Sequence, residues 1–274
     1  MKLATFSAGG PPQPGLVTAR GVVAIGDLAP SMRHVIEDFE RLRPSLERRL
    51  GDEPVPGARL LAPIRPGKIL CSTNLYASQA DAHGQAAPLL MTLKSTESVA
   101  EQTHVVLPDT FEPWAFFPEA ELGLVIKGPA AKQVSAANWR HAVFGYTCVV
   151  DVMARGGDTM FGRDYWVAKS DSLCPIGPWI TTLDEIADPH ALRVRSWHNG
   201  SPAQDFCLAH GHYPIPDQIA FITSVMTLHA GDVIACGTDP SGARAMQDGD
   251  QIEVEVDNVG RLAVVVAVAA RVAA

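Results

Sequence analysis

Apolar positions along the chain change period several times, and each change marks an element. Gly21-Val22-Val23-Ala24-Ile25 is a short continuous apolar run of strand type, whereas Val35, Ile36, Phe39, Leu42, Leu46 and Leu50 recur every three to four residues and predict a helix. Pro44 inside that pattern predicts a kink or the start of a second helix, and Gly51 suits its stop. Residues 1–60 are therefore expected to form a small N-terminal α/β domain. A Pro/Gly-bearing connector, Pro54 to Gly67, leads into a second domain over 61–274, which opens on the apolar strand Lys68-Ile69-Leu70-Cys71. Beyond it the chain is strand-rich. A helix with apolar Ile219, Ile222, Val225 and Met226 is expected to stop at Gly231, before a short buried strand that runs into Gly237-Thr238. Ile252 to Asp257 alternates cleanly and predicts a half-exposed strand paired with Leu262 to Val268 across a turn at Asn258 to Gly260. The fold class expected is α+β, with strands dominating.

Two of these strands carry acids where a core strand should be apolar. In Pro118-Glu119-Ala120-Glu121-Leu122-Gly123-Leu124-Val125-Ile126 the glutamates are two apart, so their side chains leave one face of the strand. Carboxylates that close repel each other, and a hard divalent cation with oxygen ligands relieves the repulsion. Asp151 closes the apolar run Phe144 to Val150 and supplies a third oxygen donor. Three protein carboxylates leave positions for water or substrate, as a catalytic Mg²⁺ needs. Taken alone, the glutamate pair also suits a solvated strand face, and the aspartate a turn.

Composition narrows the partners. The net charge is −8, from 22 Lys and Arg against 30 Asp and Glu, with no dense basic run, which argues against nucleic acid or an anionic membrane as partner. The five cysteines are scattered without a C-x-x-C pair and are expected to be reduced core thiols of a cytoplasmic protein. The first residues lack the long apolar stretch of a signal peptide, and the apolar run Leu262 to Val272 is too short to span a bilayer.

Further motifs follow in order: Asp151-Val152-Met153-Ala154-Arg155, Trp166-Val167-Ala168-Lys169-Ser170-Asp171, Pro175-Ile176-Gly177-Pro178-Trp179, Asn199-Gly200 with Gln204, and Gly231-Asp232-Val233-Ile234 with Gly237-Thr238-Asp239-Pro240-Ser241-Gly242. Over roughly residues 62 to 268 this series resembles the fumarylacetoacetate hydrolase family. The resemblance implies a mixed β-sandwich roll of that family's C-terminal type behind a small N-terminal domain, and a homodimer. It implies Mg²⁺ or Mn²⁺ at Glu119, Glu121 and Asp151, and cations at Lys169 and Arg155 that hold a substrate carboxylate or oxyanion. It also implies substrate contacts at Tyr76 and at the Gly237-Thr238 turn. Either cation could instead belong to a surface ion pair.

The resemblance breaks at the lid. Where family members carry N-Y-x-x-H-x-x-E, this chain reads Asn74-Leu75-Tyr76-Ala77-Ser78-Gln79-Ala80-Asp81-Ala82-His83, and Gly156-Gly157-Asp158 replaces a family glutamine. His83, with Asp81 close by, is the candidate to replace the missing lid histidine and glutamate, since Gln79 and His83 share a helical face; a solvated histidine is the other reading. The implied activity is hydrolysis of a carbon–carbon bond in an acylpyruvate-like 2,4-dioxo acid through a metal-stabilised enolate. The alternatives are a hydratase, decarboxylase or tautomerase of a small 2-oxo acid and, from another class, an inactive binder of metal and small acid. Trp114, Phe116, Phe117 and Tyr165 are candidates to line the substituent pocket, although aromatic residues beside a strand also serve as core.

Overall fold

The computed structural model describes residues 1–73, 75–79, 87–99, 103–110, 113–156 and 163–269. In chain order the strands are β1 (Lys2–Ser7), β2 (Gln13–Thr18) and β3 (Gly21–Ala24), followed by helices α1 (Met32–Glu37) and α2 (Phe39–Arg49). Then come β4 (Arg59–Leu61), β5 (Ile69–Thr73), β6 (Leu90–Lys94), β7 (His104–Leu107), β8 (Ala115–Ile126), β9 (Ala130–Ala131) and β10 (Val143–Arg155). Helix α3 (Arg163–Val167) precedes β11 (Ile176–Thr182), β12 (Arg193–His198) and β13 (Ser201–Cys207). Helix α4 (Ile215–Val225), β14 (Leu228–His229), β15 (Val233–Ala235), β16 (Gln251–Val256) and β17 (Gly260–Val268) complete the chain.

The main sheet runs β3-β2-β1-β11-β10-β8-β15-β5-β6, and β4 pairs with β1. It is mixed: β15 lies parallel to β5 and antiparallel to β8. A second sheet, β13-β12-β16-β17-β7, stacks against it. The strand-rich α+β expectation therefore holds. Residues 1–60 contribute three strands to the main sheet through the β1–β11 pairing, and β4 crosses the boundary expected at residue 60.

Alternation in β8 and β10 gives each strand two buried faces. Leu122, Leu124, Ile126, Cys148, Val150 and Val152 enter a core shared with the second sheet. Val125 and Val149 point the other way, into a core closed by Val35, Ile36, Phe39, Leu42 and Leu46 of the N-terminal helices. Burial of each large apolar side chain contributes about 1.5–3 kcal/mol, which anchors these strands from both sides.

Several local expectations need correction. The break in the N-terminal helical pattern falls at Asp38, and Pro44 sits inside α2 without ending it. At the sixth position of this eleven-residue helix the proline removes the bond to the Glu40 carbonyl, a cost offset by the burial of Phe39, Leu42 and Leu46. The later helix stops at Val225, not Gly231, and Val225 is exposed, because a short pairing of β14 with β9 takes over at Leu228. β10 runs on past Asp151 to Arg155, so the aspartate lies within a strand. Among the described residues no helix is long and apolar enough to cross a membrane.

Candidate active site

β8 and β10 pair antiparallel along their length, with Glu119 opposite Asp151 and Glu121 opposite Val149. Directly opposed residues share a face, and so do residues two apart on one strand. Glu119, Glu121 and Asp151 therefore project from one face of the sheet, the face that also carries Val125 and Val149. All three are buried, at 8%, 1% and 3% exposure.

Burial without full compensation shows in their titration. Loss of water, then the charge of Asp151, pushes the Glu119 carboxyl up to about 7, against the opposing pull of Arg155 and Lys94. Glu121 is also raised, by burial first and then by Asp151 and Glu119, with the Gly237 N–H pulling the other way. That N–H donates to Oε2 of Glu121 at 2.5 Å. The strongest charges acting on Glu121 are thus two other carboxylates.

Cations line the cluster. Arg155 donates to Oε1 of Glu119 at 3.2 Å and stacks over the Phe117 ring at 4.8 Å, with its side chain half exposed. Lys169 donates to Thr92 Oγ1 at 3.0 Å; burial lowers its pKa, and Asp151 partly restores it. Lys94, which the sequence reading missed, is wholly buried at the end of β6. Its ammonium makes an ion pair with Oδ1 of Asp151 and donates to the Val152 and Leu173 carbonyls at 2.9 Å each. Burial alone would lower the Lys94 pKa, but Asp151 together with Cys174 and Cys71 outweighs it and holds the group above the ordinary lysine value. β6 lies four places from β10 in the sheet order, so this contact exists only because the sheet curls at that end. The one sequence cue was a lysine closing the otherwise uncharged run Leu90-Met91-Thr92-Leu93.

The Gly237-Thr238 turn packs against the same strand. Gly237 adopts φ +84°, and a Cβ there would lie 2.0 Å from Leu75 Cδ1, so only glycine fits without rearrangement. Thr238 donates to the Ala120 carbonyl at 2.8 Å, and Gln204 Nε2 donates to the Thr238 hydroxyl at 2.8 Å. Gln204 Oε1 in turn accepts the Ala120 N–H at 3.0 Å. Gly237 and Thr238, expected to touch substrate, here direct these donors to β8 itself. Tyr76 is buried edge-on to Phe206 at 5.0 Å, and burial followed by the nearby Cys236 and Glu121 raises its pKa. Of the aromatic candidates, Phe116 belongs to the core and Phe117 underlies Arg155. Trp114 is partly buried against the core, whereas the Tyr165 pKa is raised by burial first, then by Asp164 and Glu119. His83, Asp81 and the Gly157-Asp158 pair lie outside the described residues.

The donor set tests whether a divalent cation suits the site. Three buried carboxylates, two of them raised by burial and then by the charge of their neighbours, are met by one sealed ammonium, that of Lys94 on Asp151 Oδ1, and by the half-exposed Arg155 on Glu119. Hard oxygen donors of this kind fit Mg²⁺ or Mn²⁺. Among the described residues, however, no three His, Cys, Asp or Glu side chains gather closely enough to hold a metal ion. The fit is one of donor chemistry.

Comparison with known proteins gives a consistent result. The profile of the family described as fumarylacetoacetate (FAA) hydrolase C-terminal matches residues 68–267. The maleylpyruvate hydrolase of Sphingobium sp. SYK-6, solved with manganese(II) and pyruvate, superposes with a TM-score of 0.84 at 31% identity, covering 98% of this chain and all of that one. The 5-carboxymethyl-2-hydroxymuconate delta-isomerase of Mycobacterium smegmatis superposes with a TM-score of 0.79 at 26% identity, covering 99% and 100%. The oxaloacetate tautomerase YisK of Bacillus subtilis is 32% identical over 219 residues, 74% of this chain and 71% of its own.

Proposed function

Because this chain belongs to the fumarylacetoacetate hydrolase family, we propose that it is a divalent-metal-dependent hydrolase that cleaves a carbon–carbon bond of an acylpyruvate-like 2,4-dioxo acid. The observation that carries this reading is the buried face of Glu119, Glu121 and Asp151, ringed by Arg155, Lys169 and Lys94. These carboxylates would hold Mg²⁺ or Mn²⁺. When bound, that ion supplies the Lewis acidity that favours negative charge on the 2-oxo oxygen of the substrate.

The protein's own groups account for the rest. Arg155 and Lys169 hold the substrate carboxylate or developing oxyanion through charge-assisted hydrogen bonds. Lys169 is kept off the carboxylates by Thr92 and so remains available to an incoming anion. The Gly237-Thr238 turn fixes the Glu121 carboxylate and the Ala120 backbone between the two glutamates. Addition of water to the 4-oxo carbon breaks the C3–C4 bond; its electron pair stays on C3 and is protonated, giving pyruvate and a free acid. On sequence grounds His83 is assigned the proton from the attacking water. The similarity to a maleylpyruvate hydrolase supports hydrolysis as the reaction. The protein is further proposed to act as a homodimer in the cytoplasm.

A second reading, tautomerisation of oxaloacetate, needs proton transfer but no water nucleophile and is supported by the similarity to an oxaloacetate tautomerase. Metal-stripped protein offered an acylpyruvate and, separately, oxaloacetate, with and without Mg²⁺ or Mn²⁺, separates the two. Pyruvate released from the acylpyruvate only with metal, and lost in Glu121→Gln, is the expected result. An inert acylpyruvate beside a tautomerised oxaloacetate overturns hydrolysis in favour of the second reading; no turnover of either leaves only binding.

A further inference from the structure

Lys94 is placed unlike the other two cations of the site. Arg155 is half exposed and Lys169 bonds to a hydroxyl, so both can turn toward a ligand. Lys94 is sealed from solvent, donating to the Val152 and Leu173 carbonyls and ion-paired with Oδ1 of Asp151. A lysine so enclosed cannot reach substrate. What it holds is the Asp151 carboxylate, by one oxygen.

We propose that Lys94 is a positioning residue that makes Asp151 a single-oxygen ligand, and so sets the preference of the site for small six-coordinate dications over calcium. The inference rests on the reading of Glu119, Glu121 and Asp151 as metal-holding. Its physical basis is ligand count. Mg²⁺ and Mn²⁺ suit octahedral sets in which each carboxylate gives one oxygen, whereas Ca²⁺ takes six to eight oxygens and readily accepts both oxygens of one carboxylate. With Oδ1 held by the ammonium, Asp151 contributes Oδ2 alone. Without Lys94 the carboxylate is free to swing and present both oxygens, which enlarges the ligand set in the direction calcium needs.

Removing a buried positive charge would also strengthen binding of any cation, but Mn²⁺ and Ca²⁺ carry the same charge, so that effect cancels in the ratio of their affinities. The experiment therefore measures Mn²⁺ and Ca²⁺ binding by titration calorimetry on metal-stripped wild-type protein, Lys94→Met and Lys169→Met. The wild type should favour Mn²⁺. In Lys94→Met the Mn²⁺-over-Ca²⁺ ratio should fall about 10- to 100-fold, the scale on which residues that orient metal ligands act. In Lys169→Met both affinities should rise together, with the ratio unchanged. An unchanged ratio in Lys94→Met, with Mn²⁺ still bound by the wild type, overturns the role of Lys94 alone. Failure of the wild type to bind either ion overturns the metal-holding reading and the inference with it.

Should Lys94→Met not fold, the carboxylate stretching bands of Mn²⁺-loaded wild-type protein labelled with ¹³C at aspartate side chains, compared with Asp151→Asn, give the same answer. A widely split pair lost in the variant fits one-oxygen ligation. A narrow pair at that position overturns it.

Discussion

Glu119 makes the stability of the metal-free protein depend on pH in a direction opposite to most carboxylates. An ordinary glutamate at 4.5 that burial and Asp151 push up to about 7 binds its proton more tightly in the folded protein than in the unfolded chain. Its favourable contribution is therefore complete below 4.5 and is lost as pH rises toward about 7. At about 1.4 kcal/mol for each tenfold change in proton affinity, the full loss is about 3 kcal/mol. Between pH 5 and pH 8 most of that range is crossed, for a loss of about 2–3 kcal/mol. The perturbation that isolates it is Glu119→Gln, which keeps the size of the side chain and removes the charge. Urea unfolding in a chelating buffer, followed for both proteins across this pH range, yields the difference directly. The wild type should lose stability relative to the variant as pH rises, and saturating Mn²⁺ should abolish the loss in the wild type. Parallel profiles, or a wild type that gains on the variant with rising pH, would refute the reasoning, because the carboxylate would then be compensated or solvated in the folded state.

Two substitutions probe the turn behind the glutamates. Gly237→Ala forces an alanine to φ +84° and drives its Cβ into Leu75, so a loss of about 1–3 kcal/mol in denaturant stability is expected, together with weaker Mn²⁺ binding as the N–H that holds Glu121 shifts; unchanged Mn²⁺ binding would show that Glu121 does not depend on this turn. Gln204→Leu keeps the bulk but strips the side-chain partner of the Ala120 N–H and one of two partners of the Thr238 hydroxyl, which keeps its bond to the Ala120 carbonyl; about 1–3 kcal/mol is expected for the buried N–H left unpaired. A midpoint unchanged in urea would mean that water replaces the amide.

The acids were legible in the sequence because strand geometry is simple. A period of two places Glu119 and Glu121 on one face whatever the rest of the chain does, and an aspartate closing an apolar run stands out. Cross-strand register is not local, so the opposition of Glu119 to Asp151 had to come from the structure. Lys94 was hidden for the same reason: a lysine at the end of a short strand looks solvated until the curl of the sheet carries it back to β10. The extension of the main sheet by β1 likewise depends on a distant pairing with β11, Lys2 against Thr181. Helix ends were misplaced where a weak competitor, the two-residue pairing of β14 with β9, decided the boundary.

The ladder between β8 and β10 joins Ala115–Ile126 to Val143–Arg155 almost without interruption, with a core on either side. Its amide protons should exchange with solvent only when the whole molecule opens, at rates that report global unfolding. The acidic face rides on that ladder and cannot act as a hinge. Any opening and closing during turnover must then be carried by segments outside β8 and β10. Sequence change in those segments can alter which acid is admitted, and how protons are handled, while the carboxylates keep their places.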